Sequence, residues 1–317
     1  MAVDPITVQI IKNKVASLVD EMHYHFYRSG YSTIIRESRD FSCVILDKDG
    51  RLIVPPPMFF HAPFYKHFVD RTIAIHGLDN LRGGDVIVSN HPYEAGVPHV
   101  SDMAFIAPIF AGGVLVGYSG SCAHKADIGG TNPGSTSANS TEIFHEGLLL
   151  PPVKITRGGE YNHDIERMIL ANSRQPDLVR GDVRAQIAAT EMGVQRMTGH
   201  CQRFGTETVM DAFAAILGAA AEEMRAAIAA LPDGEASADG YMDDDGIDLD
   251  KPIYFAVTIT KKDDAITFDF SESQEQARGP INLRPSMVEA CVFYSLIGCL
   301  GPEMQFNDGM RDVVPFK

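Results

Sequence analysis

No apolar run in this chain of 317 residues approaches the roughly 18 needed to cross a bilayer as a helix. Met1-Ala2-Val3-Asp4-Pro5 opens an amphipathic segment, not the apolar core of a signal peptide. The expectation is a cytoplasmic protein. Basic residues are scarce: 27 Lys and Arg face 42 Asp and Glu, a net charge of −15, with no basic cluster to offset it. That argues against nucleic acid or an anionic membrane as the main partner. Cysteine is sparse too. Cys43, Cys122, Cys201, Cys291 and Cys299 are an odd number with no CxxC pair, which fits reduced, mostly buried thiols better than disulfides or a cysteine zinc site. There is no GxxxxGK[ST] phosphate loop. The acidic run Asp243-Asp244-Asp245-Gly246 lacks the alternating ligands and distal glutamate of a calcium loop, so it reads as a solvated turn.

What is present is 45% hydrophobic residues, enough for one large or two medium domains. Asp4 can cap and Pro5 can open an N-terminal helix running to Gly30, its core face carrying Ile6, Ile10, Val15, Leu18, Val19 and Met22. Residues 40–46 and 51–54 flank Asp47-Lys48-Asp49-Gly50 as a hairpin. A loop and helix follow from His61 to Gly77, then a strand from Asp85 to Ser89. Residues from Asp164 to about Leu231 have helical periodicity. Residues 253–260 and 265–270 form a further hairpin, and a helix runs from Pro285 to Leu300. Hairpins before and after a helical section imply an α+β fold: a β-rich part, a helical middle and a smaller sheet near the end.

The chemistry concentrates at His99, Asp102 and His124. Met103 to Phe110 and Val114 to Cys122 read as two arms joined at Ala111-Gly112-Gly113. A hairpin centred on residue 112 sets Asp102 opposite Cys122 and Val100 opposite His124, so both imidazoles and the carboxylate leave one end of the ribbon. Two neutral imidazoles and one carboxylate, with a position left open, suit zinc, manganese or iron. The alternative is that His99 and Asp102 terminate a strand while His124 is a hydrogen-bonded interior histidine. Asp40 stands at the mouth of the preceding hairpin, and His145 and Glu146 can line the pocket. Asp127-Ile128-Gly129-Gly130-Thr131 looks like an actin-like ATPase phosphate loop, but its hairpin framing and second loop are missing, so a tight turn at the rim of the metal site is expected. Asn172, Arg174 and Gln186 are expected to be solvated or to cap helices.

In order along the chain, Asp4-Pro5-Ile6-Thr7, Glu37-Ser38-Arg39-Asp40-Phe41-Ser42, Gly84-Asp85-Val86 with Asn90-His91-Pro92-Tyr93, and Ala123-His124-Lys125-Ala126-Asp127-Ile128-Gly129-Gly130 with Pro133-Gly134-Ser135 resemble the hydantoinase B/oxoprolinase family. The resemblance continues through Glu146-Gly147-Leu148, Asn172-Ser173-Arg174, residues 181–186, Asp243-Asp244-Asp245-Gly246, Asp269-Phe270-Ser271 and Gly279-Pro280-Ile281-Asn282. It implies a divalent metal (zinc, manganese or iron) on His99, Asp102 and His124, with Asp40 beside it to position water or act as base. His145 and Glu146 are further candidates for proton transfer. The resemblance also implies a hetero-oligomer in which a hydantoinase A-type ATPase partner takes ATP and phosphorylates a small cyclic amide, while this chain opens it; a cation that lowers the pKa of bound water suits that step. The carboxylase branch, acting on ketones such as acetone or acetophenone, is the alternative, and a scaffold without turnover is a third reading. The implied organisation is a β-rich metal-binding region over 1–160, a helical region over 161–235, and a hairpin and helix region over 236–317. Family members are usually longer, so a split subunit, a fragment or a degenerate paralogue is expected. Pro55 to Tyr65 is more aromatic and proline-rich than the family pattern, as either a repacked loop or an adaptation to an aromatic substrate.

Overall fold

The computed structural model describes residues 3–134 and 137–316. Its helices are α1 (Pro5–Ser29), α2 (Tyr65–His76), α3 (His163–Ala171), α4 (Pro176–Phe204), α5 (Thr206–Ala229), α6 (Pro285–Leu300) and α7 (Asp308–Arg311). Its strands are β1 (Phe41–Asp47), β2 (Val86–Ser89), β3 (Asp102–Ala111), β4 (Val114–His124), β5 (Val153–Arg157), β6 (Glu160–Tyr161), β7 (Gly234–Met242), β8 (Ile253–Lys262) and β9 (Ala265–Asp269). A six-stranded antiparallel sheet has the order β1-β4-β3-β2-β5-β6, and a three-stranded sheet the order β7-β8-β9. The fold is α+β, as expected. No helix among the described residues is long and apolar enough to cross a membrane.

Asp4 caps α1 by accepting from the N–H groups of Ile6 and Thr7, with Pro5 in the first turn, where its missing N–H is harmless. The buried stripe is Ile11, Val15, Leu18, Val19, Met22 and Phe26. Ile6 and Ile10 are exposed instead. At about 100° per residue they project from the side opposite that stripe.

The expected hairpin over residues 40–54 is reduced to one bridge between Leu46 and Leu52. The Asp47 carboxylate accepts from the N–H groups of Asp49 and Arg51 to close the turn. Leu52, Ile53 and Val54 then enter the core, and three prolines remove the donors that a second strand needs. β1 pairs along its whole length with β4 instead.

The central hairpin also differs from expectation. Gly112 and Gly113, at φ +59° and +81°, form a two-residue turn, and Ala111 pairs with Val114. Pairing of Phe110 with Leu115 but of Ile109 with Gly117 leaves one extra residue on β4. Together these shift the register so that Asp102 lies opposite His124, not opposite Cys122.

Alternate residues of the large sheet point to its two opposite faces. Val44, Leu46, Ala104, Ile106 and Cys122 pack under α2, the end of α5 and α6. Cys43 and Ile45 pack against α1, α4 and α5. Asp102 and His124 fall on the first of these faces, at the sheet's end. β7 was not expected from the residues, which are mostly exposed and lack apolar alternation. Phe59, Phe64 and Tyr65 pack into the α6-side core, with Phe59 against Phe306 at 4.8 Å between ring centroids. These three aromatic side chains of the stretch serve the core.

Candidate metal centre

Three chain segments converge at the end of the sheet. The loop before β3 carries His99; the buried Asn90 side chain clamps it by donating to the carbonyls of Val100 and Leu148 and accepting from Leu150 N–H. A turn of π-helix (Ile34–Ser38) delivers Asp40, whose carbonyl accepts from the N–H of His124. The 3-10 turn before α2 contributes His61, which is 5% exposed.

Asp102 is 1% exposed. His99 Nε2 stands 3.4 Å from its Oδ2 and His124 Nδ1 3.7 Å from its Oδ1. One ligand atom from each of the three lies within 4.8 Å of the others. Asp40 joins through Oδ2, 3.9 Å from His124 Nδ1. His61 Nε2 sits between the two carboxylates, 3.8 Å from Asp40 Oδ1 and 3.9 Å from Asp102 Oδ2. His61 was not expected here; it lies far upstream of His99, and no local spacing ties it to the other ligands.

Asp102 Oδ1 and Oδ2, His124 Nδ1 and His61 Nδ1 are all buried without a hydrogen-bond partner. A buried ionised carboxylate left unpaired is costly, and a divalent cation among these atoms would satisfy it. Burial is the largest influence on His124 and holds its pKa below the ordinary value against the pull of Asp102. That favours the neutral imidazole a metal requires. His99, with 47% of its side chain exposed, leaves one flank open. The donor set fits a catalytic divalent cation.

Beyond His99 lies a cavity of about 900 Å3, lined also by Tyr93, Glu142, Glu146, Arg278 and Arg284. Glu146 is thus on the cavity wall. His145 engages its own loop, accepting from Thr141 N–H and lying 3.7 Å from Glu142.

Several neighbours have structural roles. The Asp127 carboxylate accepts from the backbone N–H groups of Gly129, Gly134 and Arg174 and from the Arg174 guanidinium. The loop that resembles an ATPase signature is folded around that pair, and Ser135 lies outside the described residues. Arg174 is partly solvated, as expected, but its guanidinium also pairs with a buried carboxylate and donates to the carbonyls of Gly129, Gly130 and Asn132. Gln186 is buried too, donating to Met103 O and accepting from Lys125 Nζ. Burial lowers the Lys125 pKa to about 8. Asn172 does cap, donating to Met168 O at the end of α3. Asp245, expected in a solvated turn, is buried. It accepts from the N–H groups of Ile247, Asp248 and Gly279, which hold its pKa down at about 2.

A family model described as hydantoinase B/oxoprolinase matches residues 4–317. The chain is 34% identical over 291 residues to the putative B component of a D-/L-hydantoinase from a Pseudomonas species, covering 89% of this chain and 49% of that protein. It thus spans about half that relative's length. A crystal structure of the ATP-dependent caprolactamase from Pseudomonas jessenii superimposes with a TM-score of 0.90 at 25% identity, over 99% of this chain and 54% of the other. A nucleotide-free acetone carboxylase superimposes with a TM-score of 0.85 at 18% identity, over 98% of this chain and 43% of the other, which is a likeness of fold alone.

Proposed function

The chain belongs to the hydantoinase B/oxoprolinase family, and from that premise we propose that it is the metal-bearing part of an ATP-dependent enzyme that opens a cyclic amide phosphorylated by a hydantoinase A-type ATPase partner. The observation that carries this reading is the Asp102 carboxylate, buried without a hydrogen bond among His61, His99 and His124. His99, Asp102 and His124 would hold the cation, zinc, manganese or iron, which supplies Lewis acidity toward water and the amide oxygen. His61, 3.8 Å and 3.9 Å from the two carboxylates, would support them from outside the ligand set.

Asp40, 37% exposed at its side chain and facing His124, takes the proton of the attacking water. That water adds to the ring carbon, the C–N bond breaks, and the nitrogen takes a proton, which Glu146 would supply; its position on the cavity wall supports that role. A second water then releases the phosphate, leaving the ring-opened acid. His145 supports the loop that presents Glu146. All five cysteines are free, consistent with a reducing cytoplasm.

The test is co-purification with the ATPase partner, followed by ATP-dependent turnover of hydantoin, 5-oxoproline, or a ketone with bicarbonate. Ring opening without bicarbonate is expected, together with about one divalent metal per chain that His124→Ala loses. Equal, near-zero metal in both proteins would sink the metal centre. A strict bicarbonate requirement with a ketone would make the chain part of a carboxylase. Full activity in Asp102→Asn would leave it a scaffold.

A further inference from the structure

Arg284 immediately precedes α6, and its guanidinium lies over the ring of Tyr93, 4.5 Å from the centroid. Stacking orients a guanidinium without consuming its N–H donors. Those donors have no acceptor among the described residues, and Nε is buried without a partner. The first turn of α6 contains no acidic residue, so the positive end of a 16-residue helix adds to the same place. Ser286 Oγ donates to Gly96 O, pinning this helix end to the loop that carries His99.

Arg278 lines the same cavity. Among the described residues its ion-pair partner is Asp248, at a loose 3.4 Å. The loop bearing both arginines is rigid: Gly279 N–H donates to the buried Asp245, and the Asn282 side chain accepts from Ala277 N–H and donates to Ala277 O and Gly279 O. Asp245 thereby anchors the loop between the two arginines. Glu142 and Glu146, on a separate segment of the wall, repel anions from their own end of the cavity.

We propose that Arg284, laid on Tyr93 at the start of α6, forms with Arg278 an oxyanion subsite that holds a phosphoryl or carboxylate group of the ligand in the cavity bounded by His99. The subsite rests on the metal-centre reading only for the direction in which the ligand's other end points. A planar fork on an aromatic platform matches the paired oxygens of either group.

Metal-free full-length chain, prepared by chelation, is titrated calorimetrically with inorganic phosphate and separately with acetate. Arg284→Gln weakens binding by about ten- to a hundredfold, the loss of a charge-assisted pair. Arg284→Lys falls between, and Tyr93→Leu weakens it a few-fold. Tighter binding of phosphate assigns the subsite to a phosphorylated ligand, and tighter binding of acetate to a carboxylate-bearing one; both support it. Equal affinity in wild type and Arg284→Gln, with thermal midpoints unchanged, overturns the subsite. So does absence of binding by either anion. Metal content is measured in parallel: loss of the metal-centre reading with Arg284-dependent anion binding intact, or the reverse, separates the two ideas.

Discussion

Asp102 carries the sharpest consequence of single-residue chemistry. Its carboxylate is buried, faces three imidazoles and has no hydrogen bond, so it weakens the metal-free fold, and under the proposed function a bound cation would reverse that cost. Asp102→Asn is expected to raise the melting temperature of chelated protein, because the uncompensated charge is gone, and to abolish the upward shift that zinc or manganese gives wild type. Differential scanning calorimetry with and without metal checks both signs. His61→Ala is expected to lower cation affinity by about ten- to a hundredfold without changing the protein ligands, the usual effect of losing an outer-shell partner. Unaltered affinity by calorimetric titration, with an unaltered cobalt absorption spectrum, would remove His61 from the centre. His99, Asp102 and His124 were legible because their types and spacing match a ligand set. His61 was not, because its proximity is created by packing of the turn before α2.

At the scale of elements, the β3–β4 hairpin decides the geometry. Its two apolar arms and its glycine turn are visible in the residues, but the register is not. The extra residue on β4 carries no compositional mark, and it moves every pair beyond Phe110 and Leu115 toward the metal end. β4 is also pinned on its other edge. A Cβ on Gly117 would collide with the carbonyl oxygen of Leu46 on β1, so Gly117→Ala must push these strands apart. A loss of about 1–3 kcal/mol is expected, within the range of overpacked interiors, measured from the urea midpoint. Gly112 faces open space; replacing it strains only its left-handed backbone. β7 was invisible because a strand recognised through backbone pairing with β8 needs no apolar alternation.

Across the whole molecule, α6 and α7 pack back onto the sheet face that carries the candidate metal centre. Arg311 is shared there between Glu289 and Asp308. Two carboxyls around one guanidinium leave an uncompensated negative charge, and burial pushes Glu289 up to about 7 and Asp308 up to about 6. Both values exceed the ordinary range near 4, so the folded chain keeps protons that the unfolded chain releases. Their stabilising contribution is full below about pH 4 and is lost as the pH rises through the folded values. Glu289→Gln removes part of that loss. Its melting temperature relative to wild type is expected to rise from pH 5 to pH 8, and a difference independent of pH would refute the assignment.

Local periodicity and capping, which act over a few neighbouring residues, determined by themselves the α+β class, the N-terminal and central helices and the central hairpin, and residue type and spacing marked the three candidate metal ligands. Only tertiary structure decided that Asp102 faces His124, that His61 joins from another segment, that Asp127 is occupied by Arg174, and that two arginines near α6 share a cavity with His99. Each of those depends on segments far apart in the chain being packed against one another. Sequence spacing carries no information about such distances until burial and strand register have set them.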